Sequence, residues 1–164
     1  MQMGHILSLI LCKAENAKLV EYFCEANVEF LIVGGAATAA YGCRDAVDVD
    51  DLDLLVSPTL ENAQKIFSAL FAAQIPLTAE PESLAKLAVQ MPIKNWPYWA
   101  ELITPREGFR FGEMLEASVA IKFRSRILHI VSLSDLRKMK EAAVADTQRL
   151  IVKHQRDLEC LRNI

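Results

Sequence analysis

The stretch that most constrains this chain is Phe30 to Val56, FLIVGGAATAAYGCRDAVDVDDLDLLV. An apolar, strand-like run from Phe30 to Val33 stops at Gly34-Gly35. A small-residue segment and an acidic cluster then lead to Asp51-Leu52-Asp53, which enters a second apolar run, Leu54 to Val56. Alternate residues of a strand share a face, so Asp51 and Asp53 are expected side by side, with Leu52 turned away. Two carboxylates that close repel unless one is protonated or a cation lies between them. Hard oxygen donors of this kind suit Mg2+ or Mn2+. Paired glycines let the backbone approach an anion and can open a helix whose N-terminus favours phosphate. A glycine turn followed by paired carboxylates therefore points to a metal–nucleotide site. Asp48 and Asp50 form another i,i+2 pair, but the apolar run directly after Asp53 makes Asp51 and Asp53 the strand residues.

The rest of the chain bounds what can surround that site. At 164 residues it is long enough for one domain with a proper core, and residues 1–164 are read as that single domain. A hydrophobic fraction of 52% excludes a disordered chain. The net charge of −3 gives no global basic field of the kind that advertises nucleic-acid binding. No stretch reaches the ~18 apolar residues of a membrane span, and no Ala-x-Ala-like cleavage site follows Ile6–Cys12. A soluble cytoplasmic protein without a membrane partner is expected. Cys12, Cys24, Cys43 and Cys160 are scattered, with no C-x-x-C spacing, and read as free, mostly buried thiols. His5, His129 and His154 are equally dispersed, which argues against zinc.

Hydrophobic periodicity predicts one helix, or two short ones broken near Lys13–Asn16, over Ile6–Asn27, then a strand over Glu29–Val33. A short helix is expected over Ala36–Tyr41, closed by Gly42, and a strand over Asp51–Ser57. A helix over Thr59–Ala72 would have Ser57 as its N-cap and Ala63, Ile66, Phe67, Leu70 and Phe71 on one face. Pro81–Ala88 reads as a short helix and Met91–Pro97, with two prolines, as a breaker region. A strand follows over Tyr98–Ile103, then a short helix within Phe109–Ala117. A hairpin is expected from Val119–Phe123 and Ile127–Val131. Two helices close the chain, the first capped by Ser132 or Ser134 and the second running from about Thr147 to Leu161. The alternation predicts an α+β domain, a mixed sheet flanked by helices.

Glu101 interrupts the apolar strand YWAELI and is the candidate third carboxylate of a two-metal site, where each ion takes about six oxygens; the alternative is a polar residue on an exposed face. Lys140 or Lys153 could offset a triphosphate. Arg44 could serve the nucleotide or simply pair with Asp45 or Asp48. A base could stack on Trp96 or Trp99, for which core packing is the expected role.

These residues together resemble the nucleotidyltransferase superfamily with the DNA-polymerase-β-like fold: an apolar strand, a Gly-Gly turn (Gly34, Gly35), Asp51-x-Asp53 in the next strand, and Glu101 in a later one. The likeness extends to small bacterial minimal nucleotidyltransferases and to toxin-type enzymes of toxin–antitoxin loci, through AELIT, VSLSDLRKMKEAA and KHQRDLECL. Glu101 stands where that family usually has Asp, His154 where its last motif has its first Asp, and Arg44 lies further from Asp51 than usual. The resemblance implies magnesium-dependent transfer of a nucleoside monophosphate from an NTP to a hydroxyl acceptor on RNA, a protein or a small molecule. It implies Asp51, Asp53 and Glu101 as metal ligands and catalytic groups, and Gly34, Gly35, Arg44 and Lys140 at the nucleotide. A degenerate nucleotide-binding module that acts through a protein partner, such as an antitoxin, is the alternative it leaves.

Overall fold

The computed structural model describes residues 2–146 and 151–164. In chain order the elements are α1 (Gln2–Leu11), α2 (Asn16–Glu25), β1 (Phe30–Ile32), α3 (Gly34–Ala40), β2 (Leu52–Val56), α4 (Leu60–Ala72), β3 (Gln90–Asn95), β4 (Tyr98–Ile103), α5 (Phe111–Glu116), β5 (Val119–Phe123), β6 (Arg126–Ile130), α6 (Leu133–Asp146) and α7 (Ile151–Arg162). Short 3-10 turns occupy Ala46–Asp48 and Pro81–Leu84. The strands form a six-stranded sheet in the order β3-β4-β2-β1-β6-β5. β1 is antiparallel to β2 and parallel to β6, and β2 is parallel to β4. The expected α+β mixed sheet flanked by helices is therefore what forms.

The central strands are apolar because they are covered. Leu31, Ile32, Leu52, Leu54, Leu102 and Ile130 are fully buried. α2 packs on β4 and α4, while α1 packs on α3 and β5. Two helices, not one, fill the N-terminal segment, with Ala14 in the left-handed region between them. Ser132 caps α6, its Oγ accepting the Asp135 N–H at 3.1 Å. The hairpin closes through Arg124-Ser125, and Arg126 already belongs to β6.

Several expectations are corrected. Met91–Pro97 is mostly strand: β3 lies at the edge of the sheet, where a proline such as Pro92 is tolerated because its missing N–H costs no central ladder bond. The cap of α4 is Thr59, whose side chain accepts from Asn62 N, while the carbonyl of the buried Ser57 accepts from the Asn62 side chain. Phe71 is 85% exposed. Ala63, Ile66 and Leu70 form the buried stripe, and one further step of about 100° past Leu70 carries Phe71 off it. Trp96 and Trp99 are not core residues; they are 78% and 40% exposed on the β3–β4 hairpin.

Cys43 and Cys160 form a disulfide across a sequence separation of 117 residues, so only Cys12 and Cys24 are free. The contact exists because α7 returns to the loop after α3, which no local spacing announces. Among the described residues no helix is long and apolar enough to cross a membrane. The expected start of the last helix at Thr147 lies outside the described residues.

Candidate metal centre

β2 and β4 run parallel, with Asp53 and Glu101 as register partners. Asp51 directly precedes β2, two residues before Asp53. One carboxylate oxygen from each of the three lies within 4.8 Å of the others. The period of two does this work: Leu52, Leu54, Ala100 and Leu102 point into the core and are fully buried, which turns the three acids to the opposite face.

The double glycine serves Asp53 directly. Gly34 has φ +60, and a Cβ built there would fall 1.8 Å from Asp53 Oδ2. The Gly35 N–H donates to that same oxygen at 3.4 Å. The double glycine is therefore the cradle of the second aspartate, and α3 begins where the Gly35 N–H meets a carboxylate. Burial, followed by the negative charges of Asp51 and Glu101, pushes the Asp53 carboxyl up to about 7, while the Gly35 N–H and Lys140 pull in the other direction. A partly buried acid crowded by two others is a donor set that favours a divalent cation.

Lys94 of β3 donates to Asp51 Oδ2 at 2.5 Å and sits 4.8 Å from the centre of the Trp99 ring. Sequence reasoning missed this lysine because it lay in a segment read as a breaker; its signal is visible only once β3 pairs with β4.

The other cations converge on one carboxylate. Arg44 and Lys140 both donate to Asp157 Oδ2 of α7, the lysine at 2.7 Å. The Lys140 and Asp157 side chains are only 6% and 4% exposed. Arg44 thus pairs with neither Asp45 nor Asp48, and it lies against Gly35, where a Cβ would meet Arg44 Nη1 at 2.6 Å. Burial lowers the Lys140 pKa, opposed by Asp157. Lys153 bonds the exposed Asp50 at 3.1 Å. His154 Nδ1 is buried and has no hydrogen-bond partner among the described residues.

A cavity of about 800 Å³ opens from the carboxylates. Gly34, Asp53, Glu101, Lys140 and His154 line it, with Ile103, Phe109, Met114, Leu136 and Met139 as apolar wall. The ion pair of Arg106 with Asp146 stands at its lining. The structure thus brings Gly34, Asp53, Glu101 and Lys140 to one chamber, with Asp51 beside it and Arg44 and Gly35 behind.

No protein-family model matches the sequence, and no curated protein matches it. The solved structure of an antigenic nucleotidyltransferase-like protein from Paracoccidioides brasiliensis is similar in fold, with a TM-score of 0.58 over 91% of this chain and 75% of that one, at 13% sequence identity. The fold is nucleotidyltransferase-like.

Proposed function

We propose that the chain is a metal-dependent nucleotidyltransferase that moves a nucleoside monophosphate from an NTP to a hydroxyl acceptor. The observation that carries this reading is the meeting of Asp51, Asp53 and Glu101, with ligand oxygens within 4.8 Å of one another, the latter two lining a large cavity in a nucleotidyltransferase-like fold. Asp51, Asp53 and Glu101 would hold Mg2+ or Mn2+, which when bound neutralises triphosphate charge and makes the acceptor hydroxyl more acidic.

The chain's own groups divide the remaining work. The missing side chain of Gly34 leaves room for Asp53 Oδ2, and the Gly35 N–H orients it. The apolar wall of the cavity takes the nucleoside and excludes water. Lys140 lines the same chamber, with its ammonium bonded to Asp157. In the transfer the acceptor oxygen bonds the α-phosphorus, the bond from that phosphorus to the bridging α–β oxygen breaks, and pyrophosphate leaves. The hydroxyl proton passes to the Glu101 carboxylate and on to solvent.

Calorimetry with Mn2+ and each NTP, followed by pyrophosphate release in the presence of candidate acceptors, tests the reading. Saturable binding of both is expected in the wild type, with loss of metal binding in Asp53→Ala and of turnover in Glu101→Gln. Binding left unchanged in Asp51→Ala/Asp53→Ala would overturn it.

A further inference from the structure

Both tryptophans of the chain lie on the β3–β4 hairpin, and both face solvent. Tryptophan is highly buried on average, so two exposed indoles on one edge hairpin are unusual. Their position relative to the carboxylates is specific. Trp99 and Glu101 are alternate residues of β4 and share its face, and Ile103 continues the row. Ile103 lines the cavity with Glu101, whereas Trp99 lies about 6.6 Å along the strand in the other direction and does not line it. The acids therefore have the cavity with its apolar wall on one side and an exposed aromatic residue on the other. Lys94 is the register partner of Trp99 and links that exposed side to Asp51.

We propose that this exposed side is the acceptor site, and that the acceptor it takes is the end of a single-stranded nucleic acid. The proposal rests on the reading of the cavity as the NTP chamber: with the cavity filled, the exposed Trp99 side offers an approach to the carboxylates that the nucleotide does not occupy. Lys94 already lies over one face of the Trp99 indole, 4.8 Å from its centre, so a base would stack on the opposite face; stacking platforms beside a lysine are how single strands are held without sequence preference. Trp96, 78% exposed in the turn of the same hairpin, offers a second indole for a neighbouring base. Lys94 supplies the phosphate contact, released from Asp51 when a cation takes that carboxylate. The nearby acids do not leave a uniformly repulsive surface, because Asp50 is paired with Lys153 and Asp51 with Lys94. A polypeptide acceptor is disfavoured at this edge, since Pro92 removes a backbone donor from the strand that would receive it.

The test is fluorescence anisotropy with a labelled single-stranded RNA 12-mer in Mg2+ at low salt, beside the same 12-mer as a duplex and a labelled serine peptide. NTP affinity of every variant is measured in parallel by calorimetry. The single strand is expected to bind best and to quench tryptophan emission. Trp99→Ala is expected to weaken it by about 5- to 150-fold, the range for one stacked base, with NTP affinity unchanged. Lys94→Gln is expected to flatten the salt dependence. Should Trp99→Ala fail to fold, Trp99→Phe keeps a ring and retains binding, while Trp96→Ala weakens it. Oligonucleotide binding that is absent, indifferent to both tryptophans, or no better than the duplex or the peptide overturns the proposal, even where NTP binding is intact. Trp99-dependent strand binding without any NTP binding instead upholds the platform and removes the transferase reading.

Discussion

Asp53 of β2 and Glu101 of β4 stand opposite each other as register partners in a parallel strand pair, and a third carboxylate, Asp51, completes the group. Crowding of this kind leaves a mark on the metal-free protein. The Asp53 carboxyl is lifted to about 7, first by burial and then by its two acidic neighbours, against about 3.9 in an unfolded chain. Below about pH 4 both states hold the proton. Between about 4 and 7 the folded state keeps it and the unfolded state loses it, so stability falls as pH rises, by up to about 1.4 kcal/mol per unit, and levels off above 7. Asp53→Asn should remove that fall and leave the variant more stable than wild type at pH 8. Urea denaturation at pH 5 and pH 8 checks this; parallel profiles for the two proteins would contradict it. Mn2+ binding should also release a proton at pH 6 and none at pH 8.5, read by calorimetry in buffers of different ionisation enthalpy.

Gly34→Ala should damage the same site from the other side. Its Cβ would fall 1.8 Å from Asp53 Oδ2, at a residue with φ +60. Backbone strain accounts for about 1–3 kcal/mol of lost stability, and displacement of Asp53 for a loss of Mn2+ affinity of at least roughly tenfold, the equivalent of about 1.4 kcal/mol. Gly42→Ala is the control, since Gly42 has φ +84 with nothing within 4 Å of an added Cβ. It should lose stability by a similar amount and keep its metal affinity. Equal loss of affinity in both variants would show that strain alone is responsible.

Asp51, Asp53 and the Gly34-Gly35 turn were legible because each is written in local sequence: a period of two, an apolar run and residues without bulk. Glu101 was legible as a polar interruption of an apolar strand, although its pairing with Asp53 depends on which strand lies beside which. Beyond that range local pattern was silent. Pro92 argued for a break because nothing local says that β3 is an edge strand. Phe71 was placed inside because a helical face has no sharp border in sequence. Trp96 and Trp99 were placed in the core by residue type, whereas the edge position of their hairpin decided otherwise. Cys43 with Cys160, and Arg44 with Asp157, are contacts more than a hundred residues apart, made only when α7 packs back over the loop after α3.

Asp157 holds two cations in a nearly dry place, with Lys140 and Arg44 both on its Oδ2. Removing the shared carboxylate leaves two buried positive charges without their counter-ion, a change that costs about 3–5 kcal/mol for a broken buried pair. Asp157→Ala should therefore lower the denaturation midpoint strongly. Asp157→Ala/Lys140→Met, which removes one of the stranded charges, should recover part of the loss. A double variant no more stable than the single one would show that Lys140 is not stranded by the loss of Asp157.

The disulfide fixes the same helix covalently. Cys160 lies one turn beyond Asp157 on α7, so residues i and i+3 of one helix face carry both the covalent and the ionic tie to the loop at Cys43-Arg44. A cross-link closing a loop of this length stabilises mainly by restricting the unfolded chain, typically by about 2–4 kcal/mol with a limit near 5. Cys160→Ser, Cys43→Ser and wild type in reducing agent should converge on the same lowered stability, because each opens the same loop. The free thiols of Cys12 and Cys24 predict no such response in Cys12→Ser or Cys24→Ser. Thermal denaturation with and without reductant, with thiol counting in denaturant, separates these cases: two titratable thiols before reduction and four after are expected. Four thiols without reduction, or a midpoint that ignores the reductant, would remove the cross-link and leave Asp157 as the tie between α7 and Arg44.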